Sequence, residues 1–306
     1  MSHLERACRS KSMNAITLRQ TAVRLLVLLA MVAFAGPLWA GSEPAPGWSD
    51  AYPQVRRDLE AGRPLVVEVI VPLCNNDQIW CGSKWAGQPG SLRANVYWGA
   101  VFGARTFFQR QTAGWSPLGL SAIDDVFLQR AVFRRWVSAD RWSLRRSGPI
   151  EQIVVLEAVH GGHIDRAVRE LYVRAARGSS VTIDYEGGPR TLRVHAIGYA
   201  GHNRLMDGIV FPPRLAAARP SDVPIPSFVL ACLSEKYFAE ALRSVGSEPM
   251  VMTRSLMAPE GCVVDAIAKG LGDNASLFGL RQRAVDAYAK WQKLTPRQAG
   301  AIFAPR

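Results

Sequence analysis

Five short apolar runs, separated by longer amphipathic segments, dominate the pattern of this chain. The first, PLVVEVIVP at 64–72, is an almost unbroken series of apolar and β-branched residues, which is typical of a strand buried on both faces. Runs of the same kind recur along the chain and predict four more strands, at 150–159, 192–200, 228–231 and 250–253.

The segments between these runs repeat large apolar residues at helical spacing. Asn95 stands at the head of one such segment, where its side chain is able to cap a helix. The predicted helices cover 95–110, 164–177, 236–244, 261–269 and 277–293. Strands that alternate with helices favour a parallel sheet covered on both faces. We therefore predict an α/β fold, a three-layer sandwich in which helices flank a central, mainly parallel sheet.

The amino terminus has the pattern of an export signal. A basic approach leads into the apolar run LLVLLAMVAFA at 25–35, which is too short to span a bilayer comfortably, and Gly36-Pro37 follows. We interpret residues 1–40 as a signal peptide cleaved after Ala40, with a membrane anchor as the alternative. Residues 41–63 are then a lead-in segment and 64–306 a single domain. The mature protein is expected to be periplasmic or secreted, without a transmembrane anchor.

The charge of the chain is strongly positive, with 37 Lys and Arg against 25 Asp and Glu, a formal net charge of +12. The basic residues are scattered among acids in amphipathic segments such as 134–146. This scatter indicates solvated faces that can attract anionic surfaces. Together with export, it argues against a nucleic-acid partner.

Four cysteines remain after the predicted cleavage. Cys74 and Cys81 bracket the short polar loop NNDQIW, and in an oxidising compartment we expect them to form a disulfide. Cys232 and Cys262 are then either free or joined to each other.

The predicted strand ends bring a histidine and a cysteine together. His202 follows the third predicted strand and Cys232 follows the fourth. In parallel sheets chemistry collects at the carboxyl ends of the strands, and the ends of neighbouring strands lie about 4.8 Å apart. His202 would then act as general base for a Cys232 nucleophile, with the backbone N–H groups of Cys232 and Asn203 facing the oxyanion. The alternative for Cys232 is an inert small hydrophobic residue of the core.

Polar residues near the same edge are candidates for a substrate rim. Asn75, Asn76 and Gln78 follow the first predicted strand, where they either bind polar groups of a substrate or form a turn held by the disulfide. Asp207 either orients the substrate or the imidazole of His202, or is an acid at a helix start.

A rival constellation is the His160-Gly161-Gly162-His163 stretch after the second predicted strand. Its His-x-x-His spacing, with Glu157 nearby, suggests a metal site, but the two glycines break the helix that would place both rings on one face. We expect a polar loop there, and no metal or other cofactor in this protein.

An apolar strand that ends in Gly201-His202, followed by one that ends in Ala231-Cys232, resembles the caspase-like cysteine peptidases, a group that includes metacaspases, gingipains and CHAT domains. Over roughly 64–268 the resemblance implies a caspase-like fold with strand order 2-1-3-4 and a His202/Cys232 dyad. Asn203 stands where that group usually has glycine. The chain also resembles uncharacterised exported bacterial proteins with stretches such as NVYWGAVFGARTFF, YAGHNRLMD and SLMAPEG.

These observations favour an exported cysteine hydrolase, peptidase-like, that acts by acyl transfer on a peptide or a component of the cell envelope. The alternative is a non-catalytic binding module on the same fold. In that case Cys232 is buried or paired with Cys262.

Overall fold

The computed structural model describes residues 45–185, 187–209 and 222–305. They belong almost entirely to the second of two compact units of the chain, Pro46–Arg306. The predicted signal peptide and its cleavage point after Ala40 lie outside the described residues.

The centre of this unit is a mixed, mostly parallel sheet. The nine described strands are β1 (Leu65–Pro72), β2 (Ser116–Ala122), β3 (Phe127–Val137), β4 (Ile150–Val159), β5 (Ser180–Tyr185), β6 (Gly188–Arg193), β7 (Ala196–Ala200), β8 (Ser227–Leu230) and β9 (Pro249–Val251). Seven of them form one sheet in the order β2-β3-β4-β1-β7-β8-β9, in which β3 alone runs antiparallel to both of its neighbours, β2 and β4. Strands β5 and β6 form a separate antiparallel hairpin.

Helices cover both faces of the sheet. They are α1 (Pro53–Glu60), α2 (Ala104–Phe108), α3 (Ile164–Arg177), α4 (Ser234–Ser244), α5 (Gly261–Gly272), α6 (Leu277–Gln292) and α7 (Pro296–Gly300). Helices α1, α2, α5, α6 and α7 pack on the first face, and α3, α4 and the β5–β6 hairpin pack on the second. None of the helices in the described part of the chain is long and apolar enough to cross a bilayer.

The predicted α/β architecture with a mainly parallel sheet is confirmed. The order β4-β1-β7-β8 is also the 2-1-3-4 order expected for the first four predicted strands. Strand β1 is buried along its whole length because it lies between β4 and β7, with helices on both faces. The third predicted strand is divided in two, since residues 192–193 belong to the hairpin and only Ala196–Ala200 joins the main sheet.

The prediction of a helix at 95–110 was wrong for most of these residues, since only Ala104–Phe108 is helical. Asn95 is fully buried, and its amide bonds the backbone N–H and C=O of Cys74 and the C=O of Gln88. It therefore fastens the loop after β1 instead of capping a helix. Gly103 lies so close to the Trp98 backbone that a Cβ would be 2.4 Å from it, which marks a tight turn before α2.

The antiparallel edge formed by β2 and β3 was not predicted. The side chains of β2 are mostly exposed, so its sequence lacks the apolar signal of a strand. In β3 the basic residues of the segment 134–146 make ion pairs, Arg134 with Glu151 and Arg135 with Asp273. These arginines are thus part of a sheet edge, not of a solvated amphipathic face.

The segment between the predicted signal peptide and β1 packs onto the domain. Trp48 is buried in the core of the first face and donates its indole N–H to the C=O of Leu271. Val55 and Leu59 of α1 are buried in the same core. From residue 46 onward the lead-in segment therefore belongs to the folded unit.

Candidate functional site

Strands β7 and β8 end side by side at the carboxyl edge of the sheet. Ala200 and Leu230 are register partners, and the next N–H, that of Gly201, donates to the C=O of Leu230 at 3.1 Å. A Cβ at Gly201 would lie 2.5 Å from Cγ of Pro72, the last residue of β1. The turn after β7 therefore begins at the same level of the sheet as the turn after β8.

The side chain of Asn203 joins these two turns. It is fully buried, and its Nδ2 donates to the C=O of Cys232 at 2.5 Å. Its Oδ1 accepts the N–H of Leu205 at 3.1 Å and so caps the short 3-10 helix Arg204–Asp207. The turn that carries His202 is thus fastened to the backbone of Cys232 itself.

His202 is held by an acidic partner. Its Nε2 lies 2.9 Å from Oδ2 of Asp207, which also accepts a hydrogen bond from Arg204 at 3.0 Å. Burial opposes ionisation of Asp207, but the hydrogen bonds from His202 and Arg204 outweigh it, so the pKa of this carboxyl lies below its usual range. Arg204 is anchored in turn by Asp165 of α3. In the described part of the chain Nδ1 of His202 has no hydrogen-bond partner.

The thiol of Cys232 is half-buried and contacts backbone rather than the imidazole. Its Sγ lies 3.4 Å from the N–H nitrogen and 3.5 Å from the C=O oxygen of Met257. Among the described residues it has no hydrogen bond to His202. The next residue, Leu233, has a φ of +52°, a left-handed conformation that is uncommon for a branched side chain. Helix α4 begins directly after it at Ser234.

Two tyrosines in the core of the first face are close enough to Cys232 to be affected by its charge. Burial raises the pKa of Tyr97, and the adjacent Cys232 thiolate adds to the rise. The same thiolate contributes to the raised pKa of Tyr288, whose hydroxyl accepts the N–H of Ala258 at 3.1 Å. Sequence reasoning missed both tyrosines, because neither has a local signal and each reaches the site from a distant element.

Two backbone donors near the thiol are not used elsewhere. The N–H groups of Cys232 and Asn203 make no hydrogen bond to another described residue. They are the two donors that the sequence suggested for an oxyanion. The left-handed turn at Leu233, fixed by its own N–H bond to the C=O of Ser255, determines how the chain leaves Cys232.

The predicted disulfide between Cys74 and Cys81 is present, with its sulfur atoms 2.02 Å apart. Cys232 and Cys262 are both free thiols, so the predicted alternative in which they are joined is not observed. Cys262 is buried, and burial together with the nearby Glu260 carboxylate raises its thiol pKa. An ionised nucleophile is therefore disfavoured at Cys262.

The predicted rim residues of the loop after β1 bond mainly to backbone groups. Asn75 is nearly buried and accepts the N–H of Asp77, as in an Asx turn. The amide of Asn76 bonds the C=O of Ser83 and the N–H of Cys81. Gln78 donates to the C=O of Gly161. The contacts of Asn75 and Asn76 lie within the turn closed by the disulfide, whereas that of Gln78 joins this turn to the loop after β4.

The His160 stretch follows β4, three positions from β8 in the sheet. His160 and His163 have their ring centroids 5.5 Å apart, and Nδ1 of His160 accepts the N–H of Gly162. Glu157 is bound instead by Arg130 and Arg174. The described residues contain no group of three side chains able to hold a metal ion.

Comparison with known proteins finds no family model, no curated protein and no solved structure that matches this chain. The likeness to caspase-like peptidases therefore depends on the strand order and on the two short motifs at the ends of β7 and β8.

Proposed function

We propose that this protein is an exported cysteine hydrolase, peptidase-like, in which Cys232 is the nucleophile and His202 the general base. The observation that carries the proposal is the hydrogen bond from the buried Asn203 side chain to the C=O of Cys232, which holds the histidine turn against the cysteine turn. The unused backbone N–H groups at Cys232 and Asn203 support it further. The caspase-like fold belongs to the same proposal.

Acylation begins with transfer of the Cys232 proton to His202. Because Nε2 of His202 faces Asp207, Nδ1 is the nitrogen with a lone pair for this proton. The thiolate then attacks the carbonyl carbon of an amide, a C–S bond forms, and the negative oxygen is stabilised by the two backbone N–H groups. When the C–N bond breaks, His202 returns the proton to the leaving amine.

Deacylation uses water and the same two residues. His202 takes a proton from a water molecule that attacks the thioester carbon, and the C–S bond breaks to release a carboxylic acid. The proton returns to the sulfur of Cys232. Asp207, through its hydrogen bond to Nε2, keeps the imidazole in one tautomer throughout and stabilises its cationic form.

The dyad needs one rearrangement before it can react. Sγ of Cys232 contacts the backbone of Met257, so the side chain must rotate toward His202 when substrate enters. Looser geometry before substrate binds is common among catalytic pairs.

A non-catalytic binding module is the second candidate, and the Met257 contact of the thiol is the observation that favours it. In that role the rim of loops around Cys232 would bind a peptide or an envelope component without bond cleavage. Cys232→Ala would then leave binding intact and weaken only the packing of the core.

The test is the rate of alkylation of Cys232 by iodoacetamide as a function of pH, in the natural protein and in His202→Ala. A coupled dyad predicts fast alkylation that persists well below the ordinary thiol pKa of about 8.5 and is lost without His202. Cys262→Ala is the matched control, because that thiol is buried and should not contribute. A slow rate that does not depend on His202 would exclude the dyad and favour the binding module.

A further inference from the structure

A large cavity lies at the other edge of the sheet, where β1, β7 and β8 begin. Pro64, His195 and Pro226, which directly precede these three strands, all line it. Its volume is about 790 Å³, within the range of roughly 300–1,000 Å³ that is usual for small-molecule sites. The candidate cysteine site is at the carboxyl edge, so this cavity belongs to a separate part of the molecule.

The polar wall of the cavity is strongly cationic. Four arginines line it: Arg57, Arg63, Arg177 and Arg193. Asp58 is the one acidic side chain among the described residues of the lining, and it is buried and already paired with Arg63 at 2.8 Å and Arg193 at 3.4 Å. The cavity therefore keeps a net positive charge that an anion would neutralise.

His195 adds no charge to this wall. It is buried, and its Nδ1 accepts the N–H of Val66 at 3.0 Å, so the proton of the ring is on Nε2. That nitrogen faces Oδ2 of Asp58 at 3.3 Å. Both nitrogens are thus engaged, and the ring positions Asp58 instead of offering a free base to a ligand.

Arg177 provides an unused donor in the same wall. Its Nε is buried and has no hydrogen-bond acceptor among the described residues. The carboxylate of Asp222 lies 3.7 Å away, which is too far for a hydrogen bond. A buried guanidinium N–H without an acceptor is costly, and an oxygen of a bound anion would satisfy it.

The cavity also has an apolar lining. Tyr52, Leu192, Val223 and Ile225 contribute to it, and Val223 is 46% exposed. We propose that the cavity binds a small amphiphilic anion, with a carboxylate or phosphate at Arg177 and Arg193 and an apolar body against Tyr52 and Val223. This site goes beyond the proposed hydrolase function and does not depend on it.

Calorimetric titration of the full chain with four probes tests the ligand class. Octyl phosphate and octanoate carry both an anion and an apolar body, whereas inorganic phosphate and octyl glucoside each lack one of them. We expect at least one amphiphilic anion to bind about tenfold or more tightly than both single-feature probes. The comparison between octyl phosphate and octanoate identifies the head group. Equal binding of octyl glucoside, or no binding of either anion, would overturn the proposal.

Substitutions locate the site. Arg193→Gln and Arg177→Gln should each weaken binding of the preferred probe about tenfold, the loss expected for one charged hydrogen bond. Arg141→Gln, at an exposed arginine outside the cavity, is the control and should bind like the natural protein. Arg193 is 47% exposed, so its variant is expected to fold even if that of Arg177 does not. Unchanged affinity in Arg193→Gln would place the bound anion elsewhere and refute the assignment.

Discussion

At the scale of single residues, Asn203 has the largest role in holding the candidate site together. Its side chain, which is itself fully buried, donates to the turn after β8 and accepts from the turn after β7. The C=O of Cys232 and the N–H of Leu205 belong to half-buried residues, and each would lose its hydrogen bond if the side chain were removed. The Asn203 side chain therefore links the conformation of these two turns to the placement of His202 and Cys232 in the proposed dyad.

We expect Asn203→Ala to lower the free energy of unfolding by about 1–3 kcal/mol, because it removes the hydrogen bond to the C=O of Cys232 and the cap at Leu205. Urea unfolding at constant pH measures the loss. Asn203→Asp is the matched variant: it keeps an acceptor for Leu205 but puts an oxygen in place of the donor to Cys232, so it should be destabilised as well. If Asn203→Ala were as stable as the natural protein, the hydrogen bond could not be what joins the two turns.

Gly201 shows how closely the strand ends approach each other. A methyl group at this position would meet the ring of Pro72 at 2.5 Å, and neither strand end can move without disturbing the ladder. Gly201→Ala should therefore destabilise the domain by about 1–3 kcal/mol, as overpacked cores do. Thermal unfolding compares it with Gly119→Ala in β2, where a methyl group has no neighbour within 4 Å. Equal losses in both variants would mean that crowding at Pro72 is not responsible.

The sequence predicted some residues of the candidate site and not others, for a physical reason. His202 and Cys232 follow apolar runs, so the pattern of the strands alone assigns them to one edge of the sheet. Asn203 was considered for its backbone N–H, whereas its buried side chain makes the decisive contact. Tyr97 and Tyr288 reach the thiol through tertiary packing, which no local pattern records.

At the scale of elements, apolar periodicity predicted the helices and strands that bury a continuous stripe of side chains. Helix α3 covers the predicted residues, and β1 and β4 are buried nearly end to end. Apolar periodicity did not predict the strand in which several side chains form ion pairs instead of packing in the core. In β3 half-buried positions carry arginines that pair with acids elsewhere in the chain.

The disulfide loop after β1 is an element stabilised by a covalent bond. Cys74 and Cys81 close a loop by a disulfide. In this loop the side-chain amides of Asn76 and Gln78 bond mainly to backbone groups. We expect the double substitution Cys74→Ala, Cys81→Ala to cost about 2–3 kcal/mol, the amount predicted from loop entropy for so short a ring. Denaturant unfolding with and without dithiothreitol measures it. The natural protein should lose stability on reduction and the double variant should not. A reductant effect of equal size in both would assign the loss to something other than this bond.

At the scale of the whole molecule, a buried charge cluster joins the sheet to the second face. Arg174 of α3 pairs with Glu68 of β1 and Glu157 of β4, both at 2.7 Å. Ser179 donates to Glu68, and Arg130 of β3 binds Glu157. Glu157, considered from sequence as a metal ligand, is therefore one of two carboxylates that share a guanidinium between layers. Burial and the nearby Glu157 charge, only partly offset by Arg174, raise the pKa of Glu68 to about 7.

This shift predicts how the stability of the domain depends on pH. The ordinary pKa of the Glu68 carboxyl is 4.5, so between that value and about 7 the folded chain holds a proton there that the unfolded chain has lost. Where the folded state binds more protons, the free energy of unfolding falls as pH rises. The contribution of Glu68 is thus fully present below pH 4.5 and is lost as the pH passes through about 7.

Glu68→Gln should remove this part of the pH dependence. A glutamine keeps an oxygen for Arg174 but does not titrate, so from about pH 5 to about pH 8 its free energy of unfolding should fall less than that of the natural protein. Urea unfolding across this range measures the difference between the two proteins, in which the contributions of the histidines cancel. Glu240→Gln, at an exposed position of α4, is the control and should follow the natural protein. Parallel curves for Glu68→Gln and the natural protein would mean that Glu68 is ionised in the folded state throughout, with Arg174 outweighing the burial of both carboxylates.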